Sequence, residues 1–131
     1  MKSKISIEEY RRLELAQNSK RNKYGVADKS NRTWTGFFRG REQTIIFDSA
    51  KEMNRFCELL WYGSNLMDLQ LQERFLIGTD PITYYVTDFY YLDALRQSWI
   101  AEEVKGFWTR DAKKKVKLFR EKYPDIILDI I

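Results

Sequence analysis

The 131-residue sequence contains no histidine. Without histidine the chain cannot build Ser-His or Cys-His nucleophilic sites, and it cannot bind zinc through imidazole ligands. Acid-base or metal chemistry in this chain must therefore depend on carboxylates, lysine or tyrosine.

Cysteine, long apolar runs and nucleotide motifs are also scarce or missing. Cys57 is the single cysteine, so no internal disulfide can form, which agrees with a reducing compartment. No apolar run approaches the ~18 residues that a membrane span needs, and residues 1–5 do not begin a signal peptide. Neither a P-loop nor a Gly-x-Gly-x-x-Gly fingerprint occurs. We therefore expect a cytoplasmic protein with no membrane partner and no nucleotide cofactor.

Charge is distributed unevenly along the chain, although the net charge is only +4. Residues 1–41 carry eleven Lys/Arg and four Asp/Glu, residues 42–104 carry four and eleven, and residues 105–131 carry eight and four. Basic flanks suit a polyanion such as a nucleic acid backbone, and an acidic centre suits a cation bound against that backbone. The alternative is that both flanks are ordinary solvated surfaces.

The order of secondary structure is predicted from caps, turns and hydrophobic periodicity. Ser6 and Glu9 form a capping box that opens a first helix of about a dozen residues. The turn at residues 39–42 joins two strands into a hairpin, and Asp48 or Ser49 caps a second helix that ends at Gly63. The remaining predicted elements are strands at 66–71, 83–91 and 98–105, a third helix at 110–123 and a last strand at 126–131. From residue 49 onward the predicted order is helix, three strands, helix, strand, which is an α/β fold.

Three charged residues on two predicted strands could form a cation site. Glu103 and Lys105 lie on the same face of one strand because side chains alternate along a strand. Asp88 on a neighbouring strand would add a second carboxylate. Two carboxylates hold a hard divalent cation through oxygen, and an ammonium group beside them can orient water or offset phosphate charge. The alternative is a solvated ion pair in an ordinary strand.

Glu52 stands apart from the other charged residues of the second predicted helix. Helical geometry places Met53, Phe56, Cys57 and Leu60 on a buried stripe, and Glu52 projects from its flank. A carboxylate in that position either extends to solvent or reaches a bound cation.

The third predicted helix separates apolar and basic residues. Its apolar stripe is Ala112, Val116, Phe119 and Tyr123. The opposite side is basic, and such a face could follow a phosphate backbone. Its residues are Arg110, Lys113, Lys114, Lys117 and Arg120.

Six short sequence blocks follow one another along the second two thirds of the chain. They are Phe47-Asp48-Ser49-x-Lys51-Glu52, Leu69-x-Leu71-Gln72-x-x-Phe75, Tyr85-x-x-Asp88-Phe89, Glu103-Val104-Lys105-Gly106-Phe107-x-Thr109, Lys115-x-Lys117-Leu118-Phe119 and Tyr123-Pro124-Asp125. In this order the blocks resemble small phage-encoded nucleases of the PD-(D/E)XK superfamily. The resemblance covers about residues 44–128, and Asn22-Lys23-Tyr24 is similar to the N-terminal segment of those nucleases.

The resemblance implies a role for four residues. Glu52, Asp88 and Glu103 are similar to the metal ligands, and Lys105 is similar to the catalytic lysine. The implied cofactor is Mg²⁺ or Mn²⁺. Gln72 matches a recurrent position of the family, with no role that follows from the sequence. Thr87 stands where the superfamily's name has proline, a position at which members often differ.

The resemblance also implies a fold and an activity. Residues 44–131 are expected to form a PD-(D/E)XK, restriction-endonuclease-like core, and residues 1–43 a basic N-terminal extension with a helix and a hairpin. The implied activity is hydrolysis of DNA phosphodiesters, with selectivity for branched DNA as in phage Holliday junction resolvases, in the host cytoplasm. Two alternatives are a transposon-end or nicking nuclease and a non-catalytic DNA-binding protein on the same fold.

The expected partners are branched DNA and a second copy of the chain in a homodimer. Trp34, Phe37 and Phe38 could stack on unpaired bases, although core packing is the expected role of at least two of them. Phosphate contacts are expected from Lys20, Arg21, Lys23, Arg39, Arg41, Arg110, Lys113, Lys114 and Lys117.

Overall fold

The computed structural model of the protein describes residues 29–104 and 107–131. The chain divides into two compact units after Trp61. The first unit contains a hairpin and a helix, and the second contains a four-stranded sheet and a helix.

Several predicted features lie outside the described residues. They are the first helix from Ser6, the basic residues Lys20, Arg21 and Lys23, and Lys105 with Gly106.

The hairpin of the first unit is formed by β1 (Thr33–Phe38) and β2 (Arg41–Ile46). Its two turn residues, Arg39 and Gly40, have φ angles of 51° and 83°. Positive φ at both central residues is the geometry of a type I′ turn, whose twist matches that of the strands it joins. The predicted hairpin is confirmed, with a turn at residues 39 and 40 that is shorter than the predicted turn at 39–42.

The helix of the first unit, α1, spans Ala50–Trp61 and follows Ser49 as predicted. The Glu52 backbone N–H donates to Ser49 Oγ at 3.1 Å, which satisfies one of the donors exposed in the first helical turn. Gly63 follows with φ of 60°, a conformation that a residue without Cβ adopts at little cost.

The buried face of α1 differs from the predicted stripe by a small rotation. Its buried residues are Glu52, Met53, Phe56 and Leu59, whereas Leu60 is 38% exposed. Leu59 lies three positions after Phe56 and seven after Glu52, a spacing that keeps all three on one side of a helix. The expectation that Leu60 belongs to the core is therefore wrong.

An aromatic cluster forms the core of the first unit. The Phe56 ring is 5.0 Å from the Trp34 ring and 5.1 Å from the rings of Phe38 and Phe47. Two of the three aromatic residues considered for base stacking, Trp34 and Phe38, thus pack against the helix. Phe37 is 57% exposed.

The sheet of the second unit has the order β3-β4-β5-β6. Its strands are β3 (Leu66–Thr79), β4 (Ile82–Asp93), β5 (Ser98–Glu103) and β6 (Ile127–Ile130). The first three strands pair antiparallel, and β6 pairs parallel with β5. The chain is α/β, and helix, three strands, helix, strand is the observed order from residue 50 onward.

Strand β3 continues eight residues beyond its predicted end at Leu71. The added segment begins with Gln72, Glu73 and Arg74, residue types that do not favour strands on their own. Pairing with β4 overrides that preference, since Glu73 faces Thr87 and Arg74 faces Val86.

Helix α2 spans Arg110–Lys122 and supplies the crossover that the parallel β5-β6 pair requires. The Ala112 backbone N–H donates to Thr109 Oγ1 at 3.0 Å and caps the helix. Within residues 29–104 and 107–131, no helix is long and apolar enough to cross a membrane.

Phe119 on α2 is at the centre of the core of the second unit and is completely buried. Its ring is 5.1 Å from the rings of Phe75 and Tyr85 and 5.2 Å from that of Tyr123. The Tyr123 hydroxyl donates to the Leu76 carbonyl at 2.8 Å. These contacts hold α2 against β3 and β4.

Arg96, in the turn between β4 and β5, connects that turn to β6. Its guanidinium donates to Asp129 at 2.6 Å and to Asp93 at 3.2 Å. The Arg96 backbone N–H, which also donates to Asp93, is the main reason that the pKa of Asp93 lies below its ordinary value.

Candidate active site

Asp88 and Glu103 lie beside each other where β4 and β5 pair. Phe89 faces Glu102 in the antiparallel register, and extending that register by one residue sets Asp88 opposite Glu103. Residues directly opposite in an antiparallel pair have Cβ atoms about 5 Å apart and point to the same face. The Val104 backbone N–H donates to Asp88 Oδ2 at 2.7 Å, which fixes the orientation of this carboxylate.

Gln72 contacts Asp88 from the other neighbouring strand. Its neighbours Leu71 and Glu73 face Phe89 and Thr87, and its side-chain amide donates to Asp88 Oδ1 at 3.4 Å. Gln72 has a φ of 55°, in the left-handed region that side chains other than glycine rarely adopt. Backbone conformations of this kind are enriched at functional sites. The structure thus assigns Gln72 a contact that sequence reasoning did not find.

Both site carboxylates are partly shielded from solvent. Asp88 and Glu103 are half-buried, and the Oε2 atom of Glu103 is buried. Partial burial strengthens electrostatic attraction to a cation because the surrounding dielectric constant is lower than that of water.

Glu102 is a second acid of β5 that sequence reasoning did not single out. It is completely buried and points to the face opposite Glu103, where its Oε2 accepts a hydrogen bond from the Tyr91 hydroxyl. Strand alternation predicts that Glu102 and Glu103 lie on opposite faces of β5. No sequence pattern predicts the hydrogen bond between Tyr91 and Glu102.

Tyr90, two residues after Asp88, is excluded as a base at neutral pH. Burial is the main reason that its pKa is raised above the ordinary value, and the nearby charges of Glu73 and Asp68 raise it further. The phenol therefore stays protonated under ordinary conditions.

The donor atoms at this position suit a hard divalent cation. Asp88 and Glu103 offer carboxylate oxygens, which Mg²⁺ and Mn²⁺ prefer as ligands. Among the residues that the structure describes, no group of three or more His, Cys, Asp and Glu side chains is arranged to hold a metal ion. Asp88 and Glu103 thus form a carboxylate pair that lies entirely within the second unit.

Glu52 lies in the first unit, on the first turn of α1, and is 4% exposed. The alternative that this carboxylate extends to solvent is therefore wrong. A carboxylate is rarely so deeply buried unless it is paired or binds a cation.

The remaining predicted site residues belong to two surfaces. Arg39 and Arg41 are exposed at the tip of the hairpin of the first unit. The predicted basic face of α2 is exposed as expected, at Arg110, Lys113, Lys114, Lys117 and Arg120. Lys105, which lies outside the described residues, follows Glu103 by two positions in the sequence.

Residues 41–131 match a protein family described as "Protein of unknown function (DUF1064)". The chain belongs to the DUF1064 family. The part that matches contains Glu52, Gln72, Asp88, Glu103 and Lys105, so all candidate active-site residues of this DUF1064 protein lie within the segment that the family shares. No curated protein and no solved structure matches the chain.

Proposed function

We propose that this DUF1064 protein is a metal-dependent DNA endonuclease with a PD-(D/E)XK core that acts on branched DNA, as a Holliday junction resolvase does. The observation that carries the proposal is the way Asp88 is held next to the strand that carries Glu103: the backbone N–H of Val104, the residue after Glu103, donates to Asp88 Oδ2, and the Gln72 amide donates to Oδ1. Carboxylates that bind metal ions are typically hydrogen-bonded to neighbouring groups, and each oxygen of Asp88 keeps a second lone pair that can face a cation.

The order of elements supports the same proposal. A helix, three antiparallel strands, a crossover helix and a parallel strand follow one another from residue 50, and this is the order that the resemblance implies. Asp88 lies on β4, Glu103 is the last residue of β5, and Lys105 follows Glu103 by two positions in the sequence.

The proposed ligands of Mg²⁺ within the second unit are Asp88 and Glu103, and the resemblance implies that Glu52 is a further metal-binding acid. When bound, the cation supplies Lewis-acid polarisation of the phosphodiester and a more acidic water. The hydrogen bonds from Val104 at 2.7 Å and from Gln72 at 3.4 Å would orient the Asp88 carboxylate for a cation.

Lys105 is proposed as the residue that orients the attacking water and offsets negative charge at phosphorus. The water oxygen forms a bond to phosphorus as the bond from phosphorus to the 3′ oxygen breaks. The attacking water gives up a proton to solvent and the departing 3′ oxygen takes up a proton from solvent, which leaves a 3′-hydroxyl and a 5′-phosphate. Histidine takes no part, because the chain has none.

The exposed basic face of α2 supports binding to the DNA backbone. Arg110, Lys113, Lys114 and Lys117 project from the helix that begins soon after Glu103. Cationic side chains in this position neutralise phosphates and release counterions, which gives binding a strong dependence on salt. Arg39 and Arg41 at the hairpin tip are a second candidate contact.

One assay tests the proposal directly. The purified protein is incubated with a four-way junction, a flap, a single strand and linear duplex DNA, each with Mg²⁺, with Mn²⁺ or with EDTA. We expect cleavage of branched DNA that needs the metal and leaves 5′-phosphate ends. Binding of junction DNA without cleavage under any metal condition would reject the nuclease and support the non-catalytic alternative.

A further inference from the structure

An open cavity beside α2 combines basic and aromatic side chains. It has a volume of about 450 Å³ and lies within the second unit. Its lining residues are Trp108, Lys113, Val116, Lys117, Arg120 and Glu121. A volume of this size is in the range of small-ligand sites, which run from roughly 300 to 1,000 Å³.

Three of the lining side chains are cationic and one is acidic, so the cavity attracts anions. Lys113 and Lys117 are one helical turn apart, which places them side by side along the same edge of α2. Arg120 is held more firmly, because its guanidinium donates to the Leu128 carbonyl at 3.2 Å. An anchored guanidinium with two lysines suits a phosphate group, which accepts several charge-assisted hydrogen bonds.

Trp108 adds a flat aromatic surface at the same place. It precedes the cap residue Thr109, whose hydrogen bond to the Ala112 N–H fixes the start of the helix. Its side chain is 38% exposed and therefore remains accessible to a ligand. A base stacks on an indole face only if that base is not already stacked on both sides within a duplex.

We propose that this cavity binds one unpaired nucleotide of a single-stranded DNA segment. The base stacks on Trp108, and its phosphate lies among Lys113, Lys117 and Arg120. The inference extends the proposed function, since unpaired nucleotides occur at the branch points on which a structure-selective nuclease acts. It goes beyond backbone contacts by naming a position that distinguishes unpaired from paired DNA.

Single-stranded oligonucleotides that carry 2-aminopurine test the cavity. Fluorescence of this base analogue falls when it stacks on an aromatic ring, and titration in EDTA keeps binding separate from cleavage. We expect the protein to quench the probe. Trp108→Ala should remove most of this quenching and weaken binding about tenfold, as for loss of one stacked base. Trp108→Phe should retain a large part of both signals.

Two matched controls are available in the same region. Phe107 is the adjacent aromatic residue, is 79% exposed and does not line the cavity, so Phe107→Ala should leave quenching unchanged. Lys122 is an exposed lysine of α2 outside the cavity, and Lys122→Ala should change affinity less than Lys113→Ala does. The proposal would be overturned if the unmodified protein, Trp108→Ala and Trp108→Phe all quenched the probe equally. It would also be overturned if Phe107→Ala reduced quenching as much as Trp108→Ala does.

The outcome for the cavity is distinguishable from the outcome for the nuclease. Quenching that depends on Trp108 in a protein that cuts no DNA would support the cavity and reject the nuclease. Metal-dependent cleavage combined with quenching that does not depend on Trp108 would support the nuclease and reject the cavity.

Discussion

The backbone N–H of Val104 donates a 2.7 Å hydrogen bond to Oδ2 of Asp88. Val104 stands between Glu103 and Lys105 in the sequence, so one hydrogen bond ties Asp88 to the centre of the Glu-x-Lys motif. Because a backbone group provides the donor, substitution of the Val104 side chain does not remove it.

The first prediction concerns the two acids of the sheet. Asp88→Asn keeps an oxygen that can accept from Val104 but removes the negative charge that holds a cation, and Glu103→Gln removes the charge from its neighbour. Both variants should lose cleavage and retain DNA binding, which can tighten as repulsion between acid and phosphate falls. Gel-based cleavage and competition binding measure the two properties.

Asp125→Asn, at an exposed acid of the same unit, is the control. Full Mg²⁺-dependent activity of either site variant would remove the metal assignment.

The second prediction concerns Gln72. Gln72→Ala removes a donor to Asp88 and should lower the cleavage rate about tenfold and raise the Mg²⁺ concentration needed for half-maximal rate. Gln70→Ala is a matched control, since Gln70 lies on the same strand and donates at 3.3 Å to Asp68 instead. If both variants shift the metal requirement equally, Gln72 has no specific role in positioning Asp88.

The third prediction separates Lys105 from the lysines of α2. Lys105→Ala should lower the cleavage rate ~10²-fold or more with little change in DNA affinity, as expected for a group that stabilises the transition state. Lys113→Ala and Lys117→Ala should instead weaken binding and flatten its salt dependence. Rates at saturating DNA and binding at several salt concentrations make the comparison. A Lys105→Ala variant that changes only affinity would contradict the catalytic role.

The fourth prediction concerns the buried acid of α1. Glu52→Gln is nearly isosteric and should abolish or strongly reduce cleavage while the protein still melts cooperatively. Glu58→Gln is the control on the same helix, because Glu58 forms an ion pair with Arg55 at 3.0 Å and its side chain is 45% exposed. Comparable activity of the two variants would show that Glu52 is a structural residue.

The fifth prediction concerns assembly. Two symmetric nicks in a four-way junction require two active sites at a fixed separation, which a twofold dimer provides. We expect a dimer by light scattering that binds a junction more tightly than linear duplex of the same sequence. Deletion of residues 1–21 should weaken that preference without removing any proposed catalytic residue. If the protein is a monomer and cuts linear duplex as readily as a junction, branch selectivity is rejected and only the proposal of a general nuclease remains.

Local signals explain which elements could be predicted from the sequence. The cap at Ser49 and the turn at Arg39 and Gly40 depend on neighbouring residues, so the hairpin and α1 were predicted close to their observed positions. The outer part of β3 could not be predicted in this way, because Glu73 and Arg74 become strand residues only through pairing with β4.

The candidate site likewise combines features that the sequence predicts with features that depend on strand pairing and packing. Residue type and spacing predict Asp88, Glu103 and Lys105 as site residues, and the hydrogen bond from Val104 to Asp88 agrees with the predicted neighbouring strands. The contact between Gln72 and Asp88 depends on the register of β3 against β4 and on an unusual φ, neither of which is visible in the sequence. The burial of Glu52 depends on packing that helical periodicity does not reveal.

The order in which the chain folds can be inferred from the sheet topology. Strands β3, β4 and β5 form a meander of successive antiparallel hairpins, so Asp88 and Glu103 meet across a short loop, whereas β6 joins only after the α2 crossover. Contacts between residues close in sequence form with a smaller loss of chain entropy than distant ones. The carboxylate pair is thus expected to assemble before the last strand docks, and its repulsion must be tolerated by an incomplete sheet.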